Sequence, residues 1–438
     1  MQQVKRIITT ILLTLPVLAV MSQITSASSF TVDGIKVIYK PTVKNIVNIS
    51  VYFRGGVGNY TAKQAGIEKM ALEGALECGN AKYSKNDFDN KSDLMGLRLT
   101  AVAGLDDGKI SLNCITKYVN EGWDLLAAAI TSPAYTEDAF GQLRQKMIAQ
   151  VKEAEGNPDR RVRTLAILNA FDGTPYATDP DGNEPNLSSF AVKDVRDYYF
   201  KTLLNKSRMF IVVVGNISKE DISAKISAAF AALPASNYEQ HVPQPPLFSK
   251  NTVKVEQRTM ATNYILGIVN APAYSSPDFV PFMLSFSELH GIMFTEIRSR
   301  RHLSYSPDVN LDPGLLPFAE LSVSTTSPRE SVEVINNIIR FMKKKDIVNK
   351  SLKQIKALYI TGNYRRQETT DAMADNLGRA EVLGDWQMAG RLPDLIQQTT
   401  RDEMSAAFSK YIVGINWTYL GQKEGADDAM RAFNSEVQ

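Results

Sequence analysis

Histidine and cysteine, the residues that most often hold metals or do covalent chemistry, are nearly missing: 438 residues contain three histidines and two cysteines. His241 lies in a proline-rich stretch, His290 beside a helix end and His302 in the second half; all three are far from Glu73 in the chain, and none shares a helical face with it. Two cysteines, Cys78 and Cys114, cannot make a disulfide framework. Whether they pair with each other stays open, because the sequence does not give their separation. The chain has no His-Glu-x-x-His, no Gly-x-Ser-x-Gly and no Cys-x-x-Cys, so the commonest zinc, serine-nucleophile and dithiol patterns are absent. Gly104-Leu-Asp-Asp-Gly108-Lys109 imitates part of a phosphate loop. It lacks the full spacing and the Ser/Thr partner, and it falls between two strands, so it reads as a turn. Neither sign of charge dominates: 49 Lys and Arg face 47 Asp and Glu, with no basic stripe of the kind nucleic acid demands.

Beyond the N-terminus no apolar run approaches the length of a membrane-spanning helix. At the N-terminus, Lys5 and Arg6 precede an apolar run from Ile7 to Val20, and small residues follow at Thr25 to Ser29. That order predicts an export signal over residues 1–27, and a mature chain in the periplasm or outside the cell. Removing it leaves 47 basic and 47 acidic residues.

The remainder divides at a proline-rich stretch, 233–250, which has no apolar period and carries Pro234, Pro243, Pro245 and Pro246. On either side lie units of domain length, 28–232 and 251–438. In the first, periodicity predicts strands at Phe30 to Tyr39 and Ile46 to Phe53, and a helix from about Ala65 to Cys78 stopped by Gly79 and Asn80. A second helix capped by Ser84 follows, then a hairpin over 98–116, helices over 119–132 and 136–155, and a closing helix and strand over 192–214. The second unit repeats the plan: a strand at Tyr264 to Val269, a helix at 277–289, a strand at 319–324, helices at 328–344 and 351–366, and a closing pair. Asp194 to Tyr199 running into Phe210 to Val214 matches Glu403 to Phe408 running into Trp417 to Leu420 in order and period. This reads as a duplicated α+β unit.

Met70-Ala-Leu-Glu73-Gly74-Ala-Leu-Glu-Cys-Gly79-Asn80 resembles the inverted zinc motif of the pitrilysin/insulinase (M16) peptidases, His-x-x-Glu-His followed by an apolar run and Gly-Thr. Upstream, Gly66-Ile67 and Gly55-Gly56 are similar to that family too. Gln150 to Asp159 resembles the helix that delivers its third ligand, a glutamate. The likeness covers nearly all of residues 30–422. It implies two homologous α/β-sandwich domains, each an antiparallel-rich sheet with helices on one face, forming a clam-shell as in the mitochondrial processing peptidase-like fold. On this alignment the ligand positions hold Met70, Gly74 and Gln150, and only Glu73, at the general-base position, survives. A catalytic zinc needs about three N, O or S protein ligands. A thioether, a glycine and a neutral amide do not supply them. Sliding the register by one residue puts Lys69, Leu72 and Glu73 at the motif, again without histidine. No zinc or other cofactor is expected on this chain.

Glu296-Ile-Arg298-Ser-Arg300-Arg301-His302-Leu303-Ser304-Tyr305 resembles the family's C-terminal signature, Arg-x-x-x-x-Leu-x-Tyr. The resemblance implies that Arg298 and Tyr305 reach a peptide at a zinc site across a cleft. A guanidinium offers a planar fork of donors, and a phenol can donate to a developing oxyanion. The implied function is a substrate-binding subunit, not catalytic alone, which pairs with a zinc-bearing homologue to cleave peptides. The alternative is a stand-alone pseudo-peptidase that holds peptides or a partner.

Overall fold

The computed structural model describes residues 26–344 and 349–437. All but the last two residues of the expected leader lie outside that range. The first half builds a six-stranded sheet from β1 (Ser28–Val32), β2 (Ile35–Pro41), β3 (Ile46–Arg54), β4 (Arg98–Ala103), β5 (Asp107–Ile115) and β6 (Met209–Gly215), in the order β1-β2-β6-β3-β5-β4. The second half builds a five-stranded sheet from β7 (Thr252–Gln257), β8 (Asn263–Asn270), β9 (Asp308–Asp312), β10 (Phe318–Thr325) and β11 (Asn416–Gly421), in the order β7-β11-β8-β10-β9. Without β1 the two orders are the same when five is added to each strand number. The one parallel pair sits in the same place in each, β2 with β6 and β7 with β11. The duplication is thus a property of topology.

Where the alternation from Phe30 to Tyr39 predicts one strand, the chain folds back on itself. Asp33 and Gly34 take φ of 45° and 88°, and Val32 pairs with Ile35. Two successive positive φ values fit the twist of a tight hairpin, and Asp-Gly tolerates them.

One face of each sheet packs on helices of its own half. Val47, Ile49, Val51, Ile211 and Val213 meet the helices Ile67–Glu77, Val119–Thr131 and Glu137–Gly156. Ile265, Leu321, Trp417 and Tyr419 meet Phe279–Met293, Pro328–Lys343 and Lys423–Phe433. The opposite faces are covered by exchange, which corrects the expectation of helices on one face only. The helix Pro158–Ala170 leaves the first half and lays Val162, Ala166 and Ile167 on Leu266, Ile268 and Leu420 of the second sheet. The helix Thr370–Val382 returns the exchange, with Met373, Ala374 and Leu377 on Tyr52, Phe210 and Val212. Burying both faces explains why all of β6, Met-Phe-Ile-Val-Val-Val-Gly, is apolar with no alternation.

Charge sets the register of the exchange. Asp371 accepts from Asn48 and Asn113 and pairs with Arg98, Asp375 pairs with Lys109, and Glu381 pairs with Lys36 and Arg54 at 2.7 and 2.6 Å. The other helix carries the reverse signs: Arg161 grips Glu256 at 2.6 Å, and Arg163 reaches Glu320 at 2.9 Å and Asp312 at 3.4 Å. Both cysteines are buried and free.

Candidate functional site

The helix Ile67–Glu77 shows two different faces to its surroundings. Met70 is fully buried in the apolar core, and so is Leu72. Gly74 lies under Tyr135, where a Cβ would sit 2.7 Å from the ring. Lys69 and Glu73, one residue earlier than Met70 and Gly74 and one turn apart, instead line a cavity of about 720 Å³ together with Gln150. The helical rotation of about 100° per residue separates the two pairs. The alignment that places Met70 and Gly74 at the ligand positions is therefore corrected: the cavity-facing pair is Lys69 and Glu73. Glu73 then stands where a ligand would, and the base position falls on the buried Leu72.

The cavity walls come from residues 62–183, between that helix, the helices Glu137–Gly156 and Pro158–Ala170, and the segment 177–183. Asn157 caps the second of these by accepting from the Arg160 amide, and Pro158 stands at its first turn. Lys69 Nζ lies 2.7 Å from Asp181 and 3.9 Å from Glu73. Lys146, one turn before Gln150, bonds Glu73 at 3.2 Å and Glu77 at 2.5 Å. Burial pushes the Asp179 carboxyl up to about 6. Gln150 Oε1 is buried with no partner. An ammonium in contact with both carboxylates, beside a neutral amide, does not suit zinc, which needs deprotonated N, O or S donors around an open position. Among the described residues no group of three or more His, Cys, Asp or Glu could hold a metal.

Arg298 and Tyr305 do come together, but elsewhere. The chain leaves the helix Phe279–Met293 through a wide turn, Phe294–Arg300, which aligns Phe294 and Arg298 on one side. The Arg298 guanidinium is sandwiched, 4.8 Å from the Phe294 ring and 4.1 Å from the Tyr305 ring. His302 takes φ of 54°, which turns the chain back so that Tyr305 can reach. Arg298 forms no ion pair among the described residues, and Tyr305 is 76% exposed. Arg300 and Arg301 are tied to Glu296, and Arg301 also to Glu330. Within one chain the structure does not bring this stack to the cavity of Glu73. Phe294 was not singled out from sequence, although its spacing of four from Arg298 was a readable signal. From sequence, Lys69 and Glu73 enter only as the alternative register, which is the one the structure turns to the cavity.

The family described as Peptidase M16 inactive domain matches residues 189–359. The chain is similar to a probable mitochondrial-processing peptidase subunit beta of Arabidopsis thaliana, 21% identical over 49% of this chain and 40% of the relative. It is also similar to the non-peptidase homolog YmxG of Helicobacter pylori, 22% identical over 48% of this chain and 47% of the relative. A third relative is the ubiquinol-cytochrome-c reductase complex core protein I of Euglena gracilis, 23% identical over 57% and 50%. The chain spans about half the length of the curated relatives it matches. Among solved structures, a protease from Helicobacter pylori superposes with TM-score 0.82 at 15% identity, over 91% of this chain and 100% of the other. A peptidase M16 inactive domain from Pseudomonas fluorescens gives 0.81 at 16%, over 91% and 98%. At these identities the superpositions speak to the fold.

Proposed function

We propose that this chain, whose residues 189–359 match the inactive domain of the M16 peptidases, is a non-catalytic subunit that grips peptide for a zinc-bearing homologue. One observation carries the reading: the two halves of the family's chemistry have had opposite fates in this molecule. At the cavity of Lys69, Glu73 and Gln150 the two charged side chains are engaged in internal ion pairs, and the three together are not a zinc donor set. The Phe294, Arg298 and Tyr305 stack is presented outward, its guanidinium still without a carboxylate among the described residues. A planar guanidinium held by rings has paid its ordering cost in advance and is ready for a peptide carbonyl or carboxylate. The zinc then resides on the partner. The similarity to proteins named as subunits supports an assembled state. The charged and apolar leader supports export, so the pair would work in the periplasm or outside the cell.

Cross-linking in the native host, followed by purification of this chain and mass spectrometry, tests the reading. It expects a co-purifying M16 relative with an intact His-x-x-Glu-His. Recovery of the chain alone, or peptide hydrolysis by the purified chain without a partner, overturns it. The second reading, a stand-alone peptide holder, is favoured by the buried, unpartnered Gln150 Oε1 in a cavity large enough for a peptide segment. Peptide binding by the isolated chain that Gln150→Ala abolishes would support it.

A further inference from the structure

A second cavity, of about 320 Å³, lies at the seam between the halves and under the proline-rich link. Its floor is the turn after β3, from Gly55 to Asn59, and the β4–β5 hairpin at Leu105 and Asp106. Tyr176 forms a wall, and the second half contributes Leu315. The roof is the link itself, with Tyr238 and His241. The link is fixed at both ends: Lys206 N donates to Pro234 O at 2.9 Å, and Phe248 N donates to Asn270 Oδ1 at 2.8 Å. Residues between them span the seam as a strap.

Arg208 brings open donor capacity to this cavity, and Glu239 an exposed carboxylate at its rim. Asp106 is filled, with Oδ1 accepting from Tyr176 Oη at 2.6 Å and Oδ2 from Leu315 N at 3.0 Å. Arg208 is not filled. Only its Nη1 is used, toward Arg54 O at 3.3 Å and toward Asn59 Oδ1. It forms no ion pair among the described residues, and the Tyr238 ring covers its guanidinium at 3.8 Å. Asn59 stands between it and the buried Glu68, donating to Glu68 Oε2 at 3.0 Å, so the carboxylate is held off by one amide. A guanidinium with free N–H groups, stacked under an aromatic ring, is built to take a carboxylate fork to fork. Leu105, Pro175 and Leu315 supply apolar wall, while Asn237 and Glu239 of the link are polar.

We propose that this seam cavity binds a small carboxylate with an apolar body, its head on Arg208 and its body against Leu105 and Leu315. The volume holds about ten waters at ~30 Å³ each, which matches an acylated amino acid and excludes a long peptide. Such a ligand touches both halves and the strap at once, so it fixes the seam. The site is separate from the Glu73 cavity and from the Arg298 stack, and it stands whether or not the chain has a catalytic partner.

The test is calorimetric titration of the full chain with N-acetyl-leucine and, in parallel, with N-acetyl-leucinamide, which keeps the body and loses the charge. The acid is expected to bind saturably, and the amide at least about tenfold more weakly, the scale of a charge-assisted hydrogen bond. Arg208→Gln should cost the acid the same factor and leave the amide unchanged. Glu239→Gln, which removes an exposed rim carboxylate, should tighten the acid about two- to threefold by relieving like-charge repulsion. If Arg208→Gln does not fold, Tyr238→Ala in the strap should weaken the acid several-fold. No saturable binding up to about 10 mM, equal binding of acid and amide, or unchanged affinity in both Arg208→Gln and Tyr238→Ala overturns the proposal.

Discussion

At the scale of single residues, Glu68 has the largest consequence for pH. Its side chain is fully buried, and burial lifts the carboxyl from 4.5 to about 7 against hydrogen bonds from Tyr198 and Asn59, which pull it down. The folded pKa lies above the unfolded one, so the protonated form favours folding. That stability is fully present below about pH 4.5 and is lost as pH rises through about 7. Glu68→Gln should therefore flatten the melting profile across this window, where wild type loses up to roughly 3 kcal/mol. Parallel wild-type and variant curves between pH 5 and 8 would contradict it. The cavity of Lys69, Glu73 and Gln150 makes a sharper residue-scale prediction. Lys69→His, Glu73→His and Gln150→Glu combined should create zinc affinity, because these positions face one cavity. Met70→His, Gly74→His and Gln150→Glu should not, since Met70 points into the core and any side chain at Gly74 meets Tyr135. Metal analysis after dialysis against zinc distinguishes the two triples.

At the scale of elements, the exchanged helices decide how the halves hold together. Gly378 lies so close to Tyr52 that a Cβ would fall 2.2 Å from the phenol. Gly378→Ala must push the helix off the first sheet, at a cost of about 1–3 kcal/mol in a denaturant titration despite alanine's better helix propensity. On the other helix, Arg163→Ala leaves the buried Glu320 without its counter-ion. Arg163 is itself 43% exposed, so solvent screening reduces the cost from the buried-pair range to about 1–3 kcal/mol. The elements facing their own half were readable from sequence because one apolar stripe or alternating face announces them. Helices 119–132 and 328–344 and strand 98–103 are found within a residue or two. The exchanged elements were not. Asn157-Pro158-Asp159 reads as the end of one helix, yet it caps the start of the next. The segment from Thr370 mixes acids with small apolar residues, and its partner surface lies more than 150 residues away in the chain. Strand β7, at the sheet edge, went unread although Val253 and Val255 alternate with polar residues. At the site, the family resemblance pointed to Arg298 and Tyr305, which the structure stacks together, whereas the register of the helix Ile67–Glu77 was decided only by which face the core claims.

At the scale of the whole molecule, the two sheets share one topology and lend each other one helix, so the halves form a single interlocked body. The first half carries a cavity at which Lys69 and Glu73 are engaged in ion pairs. The second half keeps an arginine held between two rings at the surface. Under the proposed function, such a chain would contribute to catalysis only across an interface. The direct measurement is steady-state peptide cleavage by the reconstituted pair, with this chain as wild type, Arg298→Ala, Tyr305→Phe or Arg300→Ala, and a melting curve for each. If the Tyr305 hydroxyl donates to the transition state, its loss should lower kcat by ~2.7–4 kcal/mol, on the order of a hundred- to a thousandfold. Arg298→Ala should act mainly on KM, because its fork grips the ground state as well. Arg300, tied to Glu296 and 68% exposed, should be silent. Unchanged turnover in Tyr305→Phe and Arg298→Ala, with the complex intact, would contradict a composite site.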